Sequence, residues 1–506
     1  MQNMKRFFLK ANALVAVFLL MAFGCARALA AGAERPKLVV GIVVDQMRWD
    51  YLYRYYNLFG EGGFRRLMNE GFKCENTMIN YVPSVTAVGH TSIFTGTVPS
   101  VHGIAGNTFL LNGKMTYCCA DSTVNTVGSK SDEGKMSPRN MLTTTIGDEL
   151  KIATDFKAKV IGVSLKDRAS ILPAGHAADG AYWIDYTTGT FISSTYYMKE
   201  LPKWAADYNK TIGKVTKDQI CYSPLGNKIT EEMAKAAVEG EMLGKDDVTD
   251  LLTVSFSCTD LIGHKYGTHS DKTRDIYVDL DKRLADLFSY LDQNVGKNQY
   301  LVFLTADHGA ANSIQLSREH DIPADGFVVP TVEKELNTYL VNKFGSKTAL
   351  VRCIDNYKVF INHEAVEALS VSLDDVKKAA VEWLKKNPMF AYVVDLEHVS
   401  DATVPALIRE KIINGYNRMR SGDIQLIVQP ANYDVYSDKI DGGTTHGTWN
   451  PYDAHIPFLL MGWHVAPGET HEKVWMTDIV PTVCAMIDIQ IPNGSIGNPV
   501  TAVTDR

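Results

Sequence analysis

Three separated stretches of the chain share one pattern, a run of apolar residues that stops at an aspartate. The first run is Leu38 to Val44, and the stretches "DLLTVSFSCTD" and "QYLVFLTADH" repeat it. The aspartates at their ends are Asp45, Asp260 and Asp307. Continuous apolar runs without alternation are typical of parallel strands that are buried on both faces. Because parallel strands need crossover connections, the pattern predicts an α/β fold.

The segment between the second and third runs has the spacing of a crossover helix. In "SDKTRDIYVDLDKRLADLFSYLDQNVG" the apolar residues recur every three or four positions, and the segment ends at a glycine. We therefore expect a mostly parallel central sheet flanked by helices, with smaller inserted lid or cap subdomains. Ligands bind at the carboxyl ends of the strands in such sheets. The three aspartate-bearing strand ends are candidates for one shared site.

Two regions depart from this rhythm and are predicted insertions in a single domain spanning 31–506. Residues 174–228 are polar and rich in aromatic side chains, which favours a lid or side subdomain. In residues 317–439 an amphipathic pattern begins after Ser372 and is followed by an apolar stretch, which predicts a small α/β unit.

Residues 1–30 have the composition of a secretory signal. Basic residues are followed by an apolar run from about Ala13 to Phe23 and by small residues ending at Ala30. The run is shorter than the roughly 20 residues that a membrane-spanning helix needs. We expect cleavage near Ala30 and a periplasmic or secreted protein without a stable membrane span. Lipid anchoring at Cys25 is less favoured, because the three residues before it make a poor lipobox.

The charge of the chain excludes one class of partner. The formal net charge is −7, and residues 1–30 carry four basic residues and no acidic one, so their removal takes it to −11. An acidic protein is not attracted in bulk to nucleic acid or to anionic membranes. We expect small-molecule partners, and the sequence does not fix the oligomeric state.

Carboxylates and imidazoles recur at the predicted strand ends and in one late loop. Asp260 and His264 are four residues apart, so both can face one way from a helical turn. The other members are Asp45, Asp307, His308 and His446, the last in the glycine-rich stretch "GTTHGTWNP". Three aspartates and three histidines are the oxygen and nitrogen ligands that two zinc ions would use, with open positions for a substrate.

The order of these pieces along the chain resembles the alkaline phosphatase superfamily, and most closely its PafA-type, threonine-nucleophile phosphate monoesterases. The resemblance spans about residues 37 to 488. That family has its nucleophile in a Thr-x-x-Gly-His motif, and "TAVGH" matches it at Thr86. The motif thus selects Thr86 from the neighbouring hydroxyls Ser84, Thr91, Ser92 and Thr95.

The resemblance also implies a role for each candidate residue. One zinc ion would be bound by Asp260, His264 and His446, and the other by Asp45, Asp307, His308 and the Thr86 oxygen. Asn107 and the Lys-x-Arg pair Lys166 and Arg168 would hold the phosphate oxygens. The implied activity is an exported zinc phosphomonoesterase, an alkaline phosphatase, that releases inorganic phosphate from small phosphate monoesters through a phosphothreonine.

The Lys-x-Arg pair favours monoesters over diesters. Lys166 and Arg168 would point the same way if their segment is extended, and a monoester carries about two negative charges at neutral pH. The sister phosphodiesterases generally lack the pair. A phosphodiesterase or phosphonate hydrolase of the same superfamily stays open as an alternative, as does a non-catalytic envelope protein that binds zinc and phosphate.

Overall fold

The computed structural model describes residues 34–437 and 442–504, so the predicted signal segment lies outside the described residues. Within them, ten strands form one large sheet in the order β20-β2-β19-β11-β1-β10-β7-β8-β9-β6. The strands of the described chain are β1 Leu38–Val44, β2 Phe72–Cys74, β3 Thr77–Met78, β4 Thr108–Leu111, β5 Lys114–Tyr117, β6 Thr126–Val127, β7 Val160–Ser164, β8 Gly180–Asp185, β9 Thr190–Ser194, β10 Asp250–Phe256, β11 Tyr300–Thr305, β12 Gly326–Val328, β13 Val351–Asp355, β14 Lys358–Ile361, β15 Phe390–Asp395, β16 Ile424–Val428, β17 Tyr433–Val435, β18 His455–Ile456, β19 Phe458–Gly462, β20 Gly468–Thr470 and β21 Val474–Trp475.

The helices connect the strands and pack against the large sheet or against smaller ones. The α-helices of the described residues are Tyr51–Arg54, Phe64–Glu70, Thr86–Thr95, Pro99–His102, Ile146–Ala153, Asp167–Ala174, Lys203–Ile212, Lys217–Cys221, Leu225–Gly240, Cys258–Tyr266, Asp271–Leu291, Ile314–Glu319, Val329–Phe344, His363–Ala368, Leu373–Leu384, Ala406–Gly415, Pro451–Ala454, Ile479–Met486 and Thr501–Thr504. Short 3₁₀ or π turns are Tyr56–Leu58, Asp292–Gly296, Leu396–Asp401 and Met476–Asp478.

The centre of the large sheet is parallel, as the apolar runs predict. Strand β1 lies between β10 and β11, with Leu38 opposite Asp250 on one side and Tyr300 on the other. Strand β7 is parallel to β10, and β8 is parallel to β7. Antiparallel pairs occur toward both edges, where β19 pairs with β11 and β9 with β8. The predicted fold class is confirmed.

The parallel register brings four strand ends to one edge of the sheet. Every residue of β1, β10, β11 and β7 is buried, because the predicted crossover helix Asp271–Leu291 and other helices cover the sheet. Parallel strands end at the same edge. The segments that follow these strands therefore meet there.

The two predicted insertions differ in how they join this sheet. Strands β8 and β9 lie within 174–228 and extend the large sheet, so that part of the range is not a separate layer. Its role as a lid stays a prediction. The second range holds its own sheet, β13-β14-β16-β15, with a separate apolar core that includes Leu336 and Val376. The helix predicted after Ser372 is found at Leu373–Leu384 and is followed by β15.

No helix among the described residues is both long enough and apolar enough to cross a bilayer.

Candidate active site

Asp260, His264 and His446 form the first of two groups at the carboxyl edge of the sheet. Asp260 and His264 lie on the helix Cys258–Tyr266, which directly follows β10. The Oδ1 atom of Asp260 is 3.1 Å from Nε2 of His264 and 3.7 Å from Nε2 of His446. The four-residue spacing places both side chains on one face of a helix, and the late glycine-rich loop adds the third.

Asp45, Asp307 and His308 form the second group, at the ends of the neighbouring strands β1 and β11. Nε2 of His308 is 3.5 Å from Oδ1 of Asp45 and 3.3 Å from Oδ2 of Asp307. The ring of His308 stacks on that of His446 with a centroid distance of 3.5 Å, so the two groups adjoin. In each group the candidate ligand atoms all lie within 4.8 Å of one another.

The three histidines are oriented by backbone carbonyls. Nδ1 of His264 lies 2.9 Å from the carbonyl of Thr444, and Nδ1 of His446 lies 2.8 Å from that of Ser84. Nδ1 of His308 lies 2.9 Å from the carbonyl of Gly309. Because a carbonyl can only accept, each Nδ1 carries a proton, and Nε2 presents a lone pair when the ring is neutral. At His264, burial lowers the pKa of the ring but Asp260 outweighs it and raises that pKa. Metal-binding histidines are typically held in this way.

Several buried atoms of the second group lack a partner in the described chain. Oδ1 of Asp45, Oδ2 of Asp307 and Nε2 of His308 are buried and form no hydrogen bond. Their contacts of 3.3 to 3.5 Å are to one another and, for Oδ2 of Asp307, to Nδ1 of His90. Buried polar atoms are normally satisfied, so three orphaned ligand atoms that converge on one point fit a metal cation.

The electrostatics of the two groups point the same way. Burial, together with the charges of Asp260 and Asp307, raises the pKa of Asp45 well above its ordinary value. Burial, reinforced by the rings of His308 and His264, holds the pKa of His446 well below its ordinary value. A neutral imidazole is the form that binds metal. Crowded carboxylates and a neutral imidazole are what a divalent cation stabilises.

Lys166 links the two groups. It follows β7, and its Nζ donates to Oδ2 of Asp45 and to Oδ2 of Asp260, both at 2.6 Å. Burial alone would lower the pKa of this amine, but the two carboxylates raise it above its ordinary value. The lysine of the Lys-x-Arg pair thus lies between the two groups.

Thr86 is the first residue of the helix Thr86–Thr95 and is 1% exposed. Two residues before it, the Ser84 carbonyl accepts from His446 of the first group. On the other side, Nδ1 of His90 lies 2.9 Å from the Thr86 carbonyl and 3.3 Å from Oδ2 of Asp307. The first turn of this helix is therefore tied to both groups.

A close backbone contact explains why the Thr-x-x-Gly-His motif has glycine at position 89. A Cβ atom on Gly89 would lie 2.3 Å from the carbonyl oxygen of Asp307. Real Cβ atoms do not approach an oxygen so closely, so only glycine lets the helix pack against the segment that carries Asp307. His90, the last residue of the motif, contacts Thr86, Asp307 and Ser255 and so holds this turn in place.

Asn107 lies directly before β4 and contacts the first turn of the same helix. Its Oδ1 accepts from the backbone N–H of Ala87 at 3.0 Å. This bond uses the acceptor of the amide and leaves its Nδ2 group available as a donor. The orientation of the Asn107 side chain is thus fixed by the residue that follows Thr86.

The segment of the Lys-x-Arg pair is extended only at Lys166, because a helix begins at the next residue. Lys166 precedes the helix Asp167–Ala174, and Arg168 lies in its first turn. Nη1 of Arg168 donates to the Tyr117 hydroxyl at 3.2 Å, and that hydroxyl donates to Oδ1 of Asp167 at 2.6 Å. The Nε group of Arg168 is buried without a hydrogen-bond partner in the described chain. The two members of the Lys-x-Arg pair therefore have different partners: Lys166 contacts Asp45 and Asp260, and Arg168 contacts Tyr117.

Sequence reasoning missed three residues that build this site. Gln46 donates from Nε2 to Asp260 and from its backbone N–H to Asp307, so it bridges the two groups. Its position directly after Asp45 was the sequence signal that could have identified Gln46 as part of the site. Tyr117 and Tyr357, whose hydroxyl donates to the His446 carbonyl at 3.2 Å, come from distant segments with no local signal.

Comparison with protein families gives one match. Residues 39–452 match the model of the type I phosphodiesterase / nucleotide pyrophosphatase family.

Three curated relatives are similar over nearly the whole chain. Alkaline phosphatase PafA of Elizabethkingia meningoseptica is 46% identical over 93% of this chain and 95% of its own length. A Myroides odoratus protein named calcium-transporting ATPase is also 46% identical, over 94% and 95%. Alkaline phosphatase PhoV of Synechococcus elongatus is 44% identical over 92% of both chains.

A crystal structure of wild-type alkaline phosphatase PafA superposes with a TM-score of 0.90 at 46% identity, over 94% of this chain and all of that one. The mouse ectonucleotide pyrophosphatase / phosphodiesterase 5 shares the fold at 16% identity, with a TM-score of 0.57.

Proposed function

The chain belongs to the type I phosphodiesterase / nucleotide pyrophosphatase family, and from this premise we propose how it works as an alkaline phosphatase, a phosphomonoesterase. Its alkaline phosphatase relatives are 44 to 46% identical over most of the chain. In the proposal the nucleophile is Thr86, the intermediate is a phosphothreonine, and the cofactors are two zinc ions. The single catalytic domain with two insertions belongs to the same proposal.

One observation carries the mechanism. The turn that Thr86 begins is tied through Ser84 to His446 and through His90 to Asp307, which are members of different ligand groups. These backbone ties hold the segment of Thr86 beside both groups, which supports the proposal because phosphoryl transfer depends mostly on positioning and on charge stabilisation.

The proposed ligands divide as the two groups do. Asp260, His264 and His446 would hold one zinc ion, and Asp45, Asp307, His308 and the Thr86 oxygen the other. When bound, the zinc ions supply positive charge that favours the alkoxide form of the Thr86 hydroxyl and the negative charge on the departing oxygen.

The remaining residues hold the phosphoryl group. Lys166 and Arg168 would neutralise its non-bridging oxygens, and the free Nδ2 of Asn107 would donate to a third position. Thr86 attacks phosphorus in line, the ester oxygen leaves, and water then releases inorganic phosphate from the phosphothreonine. Because Lys166 pairs with Asp45 and Asp260, a dianion can recruit it only when other cations neutralise those carboxylates.

Export belongs to the proposal as well. The composition of residues 1–30 supports a signal peptide cleaved near Ala30 and a periplasmic or secreted enzyme. N-terminal sequencing of the mature protein purified from its native host tests this, and an N-terminus at Met1 would contradict it.

The first test is the substitution Thr86→Ala with Thr91→Ala as its matched control. Thr91 lies on the same helix, and its hydroxyl donates only within that helix, to the Ala87 carbonyl. We expect Thr86→Ala to abolish turnover of an aryl phosphate monoester while zinc content stays near that of the wild type. Thr91→Ala should retain turnover. Activity like that of the wild type in Thr86→Ala would refute the nucleophile.

The second test separates monoesterase from diesterase, the alternative that the name of the matching family favours. The measurement is the ratio of kcat/KM for an aryl monoester to that for the matching diester, at alkaline pH with zinc. We expect a ratio far above one, and we expect Lys166→Ala to lower it. A ratio below one would move the protein to the diesterase or phosphonate hydrolase branch. Bound zinc without turnover of any phosphoester, ATP included, would favour the non-catalytic alternative.

A further inference from the structure

The second sheet touches the active site through one hairpin. Strands β13 and β14 are joined by the two residues Asn356 and Tyr357, whose φ angles are +49° and +59°. Asp355 and Lys358 pair across the turn. Two positive φ values in a two-residue turn match the twist of the flanking strands and make a tight, well-defined hairpin. The side chains of this turn are therefore presented from a rigid element.

Lys358 reaches from the hairpin to the loop that carries Asn107. The amine is 2% exposed and donates to the carbonyl of Ala105 at 3.2 Å, to that of Gly415 at 3.1 Å and to Oγ of Ser421 at 3.2 Å. Ala105 precedes Asn107 by two residues. Among the described residues no carboxylate lies within 4 Å of this amine, so its three donors are spent on holding backbone and a hydroxyl.

The same turn reaches the first metal-ligand group. The Tyr357 hydroxyl donates to the His446 carbonyl at 3.2 Å. The Tyr357 ring occupies the space beside Gly447, where a Cβ atom would lie 2.7 Å from the ring and where φ is +104°. Adjacent residues of one hairpin therefore hold the loop of a phosphate contact and the loop of a metal ligand.

We propose that Lys358 is a positioning residue that holds the loop of Asn107 where this side chain can contact the phosphate. Tyr357, the neighbouring residue of the hairpin, holds the loop of His446 in its place relative to Asn107. The inference rests on the proposed function, because it assumes that Asn107 contacts substrate. Asn107 is itself oriented by Ala87, next to Thr86. A misplacement of about 1 Å in a group that positions substrate can cost on the order of a hundredfold in rate.

A double-mutant cycle tests whether Lys358 acts through Asn107. Lys358→Met, Asn107→Ala and the double variant are compared by kcat/KM for an aryl monoester. We expect Lys358→Met to lower kcat/KM by about ten- to a hundredfold alone, and by less than about twofold in the Asn107→Ala background. Equal losses in both backgrounds would make Lys358 merely structural and overturn the inference.

Lys377→Met is the matched control. Lys377 is a buried lysine of the same insertion, but its partners are Asp374, Asp395 and Glu397, none of them in the active site. We expect this variant to change kcat/KM by less than about twofold in either background. A loss as large as that of Lys358→Met would show that any damage to the insertion suffices, which would overturn the specific role.

Two further readouts do not depend on turnover. Hydrogen exchange of residues 103–107 should accelerate in Lys358→Met and not in Lys377→Met. If Lys358→Met fails to fold, Tyr357→Phe removes one hydroxyl only, and we expect it to weaken zinc binding without altering exchange at 103–107. Unchanged exchange in Lys358→Met, or unchanged zinc affinity in Tyr357→Phe, contradicts the inference. A wild-type protein without monoesterase activity contradicts the proposed function instead.

Discussion

Lys166→Met removes the ammonium group that contacts both candidate metal-binding groups. We expect its effect on the free energy of unfolding to depend on whether metal is bound. The amine is 7% exposed and lies 2.6 Å from both Asp45 and Asp260, which are themselves buried. Removing one partner of a buried ion pair typically costs about 3 to 5 kcal/mol, because the other charge is left uncompensated. We expect a loss of that size in the free energy of unfolding of the chelated protein.

With saturating zinc the loss should fall to about 1 kcal/mol or less, because the bound cations then compensate the carboxylates. The assay is urea unfolding followed by circular dichroism, with chelator and with zinc. The two conditions form a thermodynamic cycle. If the mutational loss is about 3 kcal/mol smaller with zinc than with chelator, the variant binds zinc about a hundredfold more tightly than the wild type. Competition with a fluorescent chelator measures that gain directly.

Lys377→Met serves again as the control, since its carboxylate partners lie outside the site, and its loss should be the same with and without zinc. Equal losses for Lys166→Met in the two conditions would refute the reasoning, because Lys166 would then stabilise the fold and not the charge of the ligand groups.

Three more predictions follow from burial, close contact and hydrogen bonding. Burial lowers the pKa of Lys358 from 10.5 to about 7. Between pH 7 and 10.5 the amine is therefore protonated in the unfolded chain and neutral in the folded one. The free energy of unfolding then rises with pH by at most about 1.4 kcal/mol per pH unit. Unfolding at pH 7 to 10 should show this slope in the wild type relative to Lys358→Met, and parallel curves would contradict it. Gly89→Ala should lower kcat/KM by at least about a hundredfold, because its Cβ displaces the Asp307 loop, whereas Thr91→Ala in the same helix should not. Tyr117→Phe should lower kcat/KM for monoesters and leave diesters unchanged, because it frees Arg168; an equal loss on both substrates would refute that reading.

The central strands and the clustering of the candidate ligand residues were predictable from sequence for a local reason. An unbroken apolar run has few other uses than a buried strand, so β1 was predicted at Leu38–Val44, where it is found. The spacing of Asp260 and His264 indicates a shared helical face without knowledge of the fold. In both cases the residues concerned lie within or directly after the sequence pattern that predicts their structure.

Other parts of the site could not be predicted because they depend on contacts between distant segments. The Lys-x-Arg pair looks extended in sequence, but the helix Asp167–Ala174 begins between its two members, so Arg168 turns toward Tyr117. Tyr357 and Lys358 act through backbone carbonyls, which any residue can supply, so no side-chain pattern marks their partners.

The register of β1 has a consequence for how the enzyme is made. β1 is the first strand in the described chain, but its neighbours β10 and β11 begin at Asp250 and Tyr300. During synthesis the first strand therefore waits unpaired until most of the chain has been translated, and His446 arrives later still. Pairing over such separations is slow and exposes apolar edges. A chain of this topology therefore keeps an apolar strand without its partners through most of its synthesis, which is the period when aggregation competes with closure of the sheet.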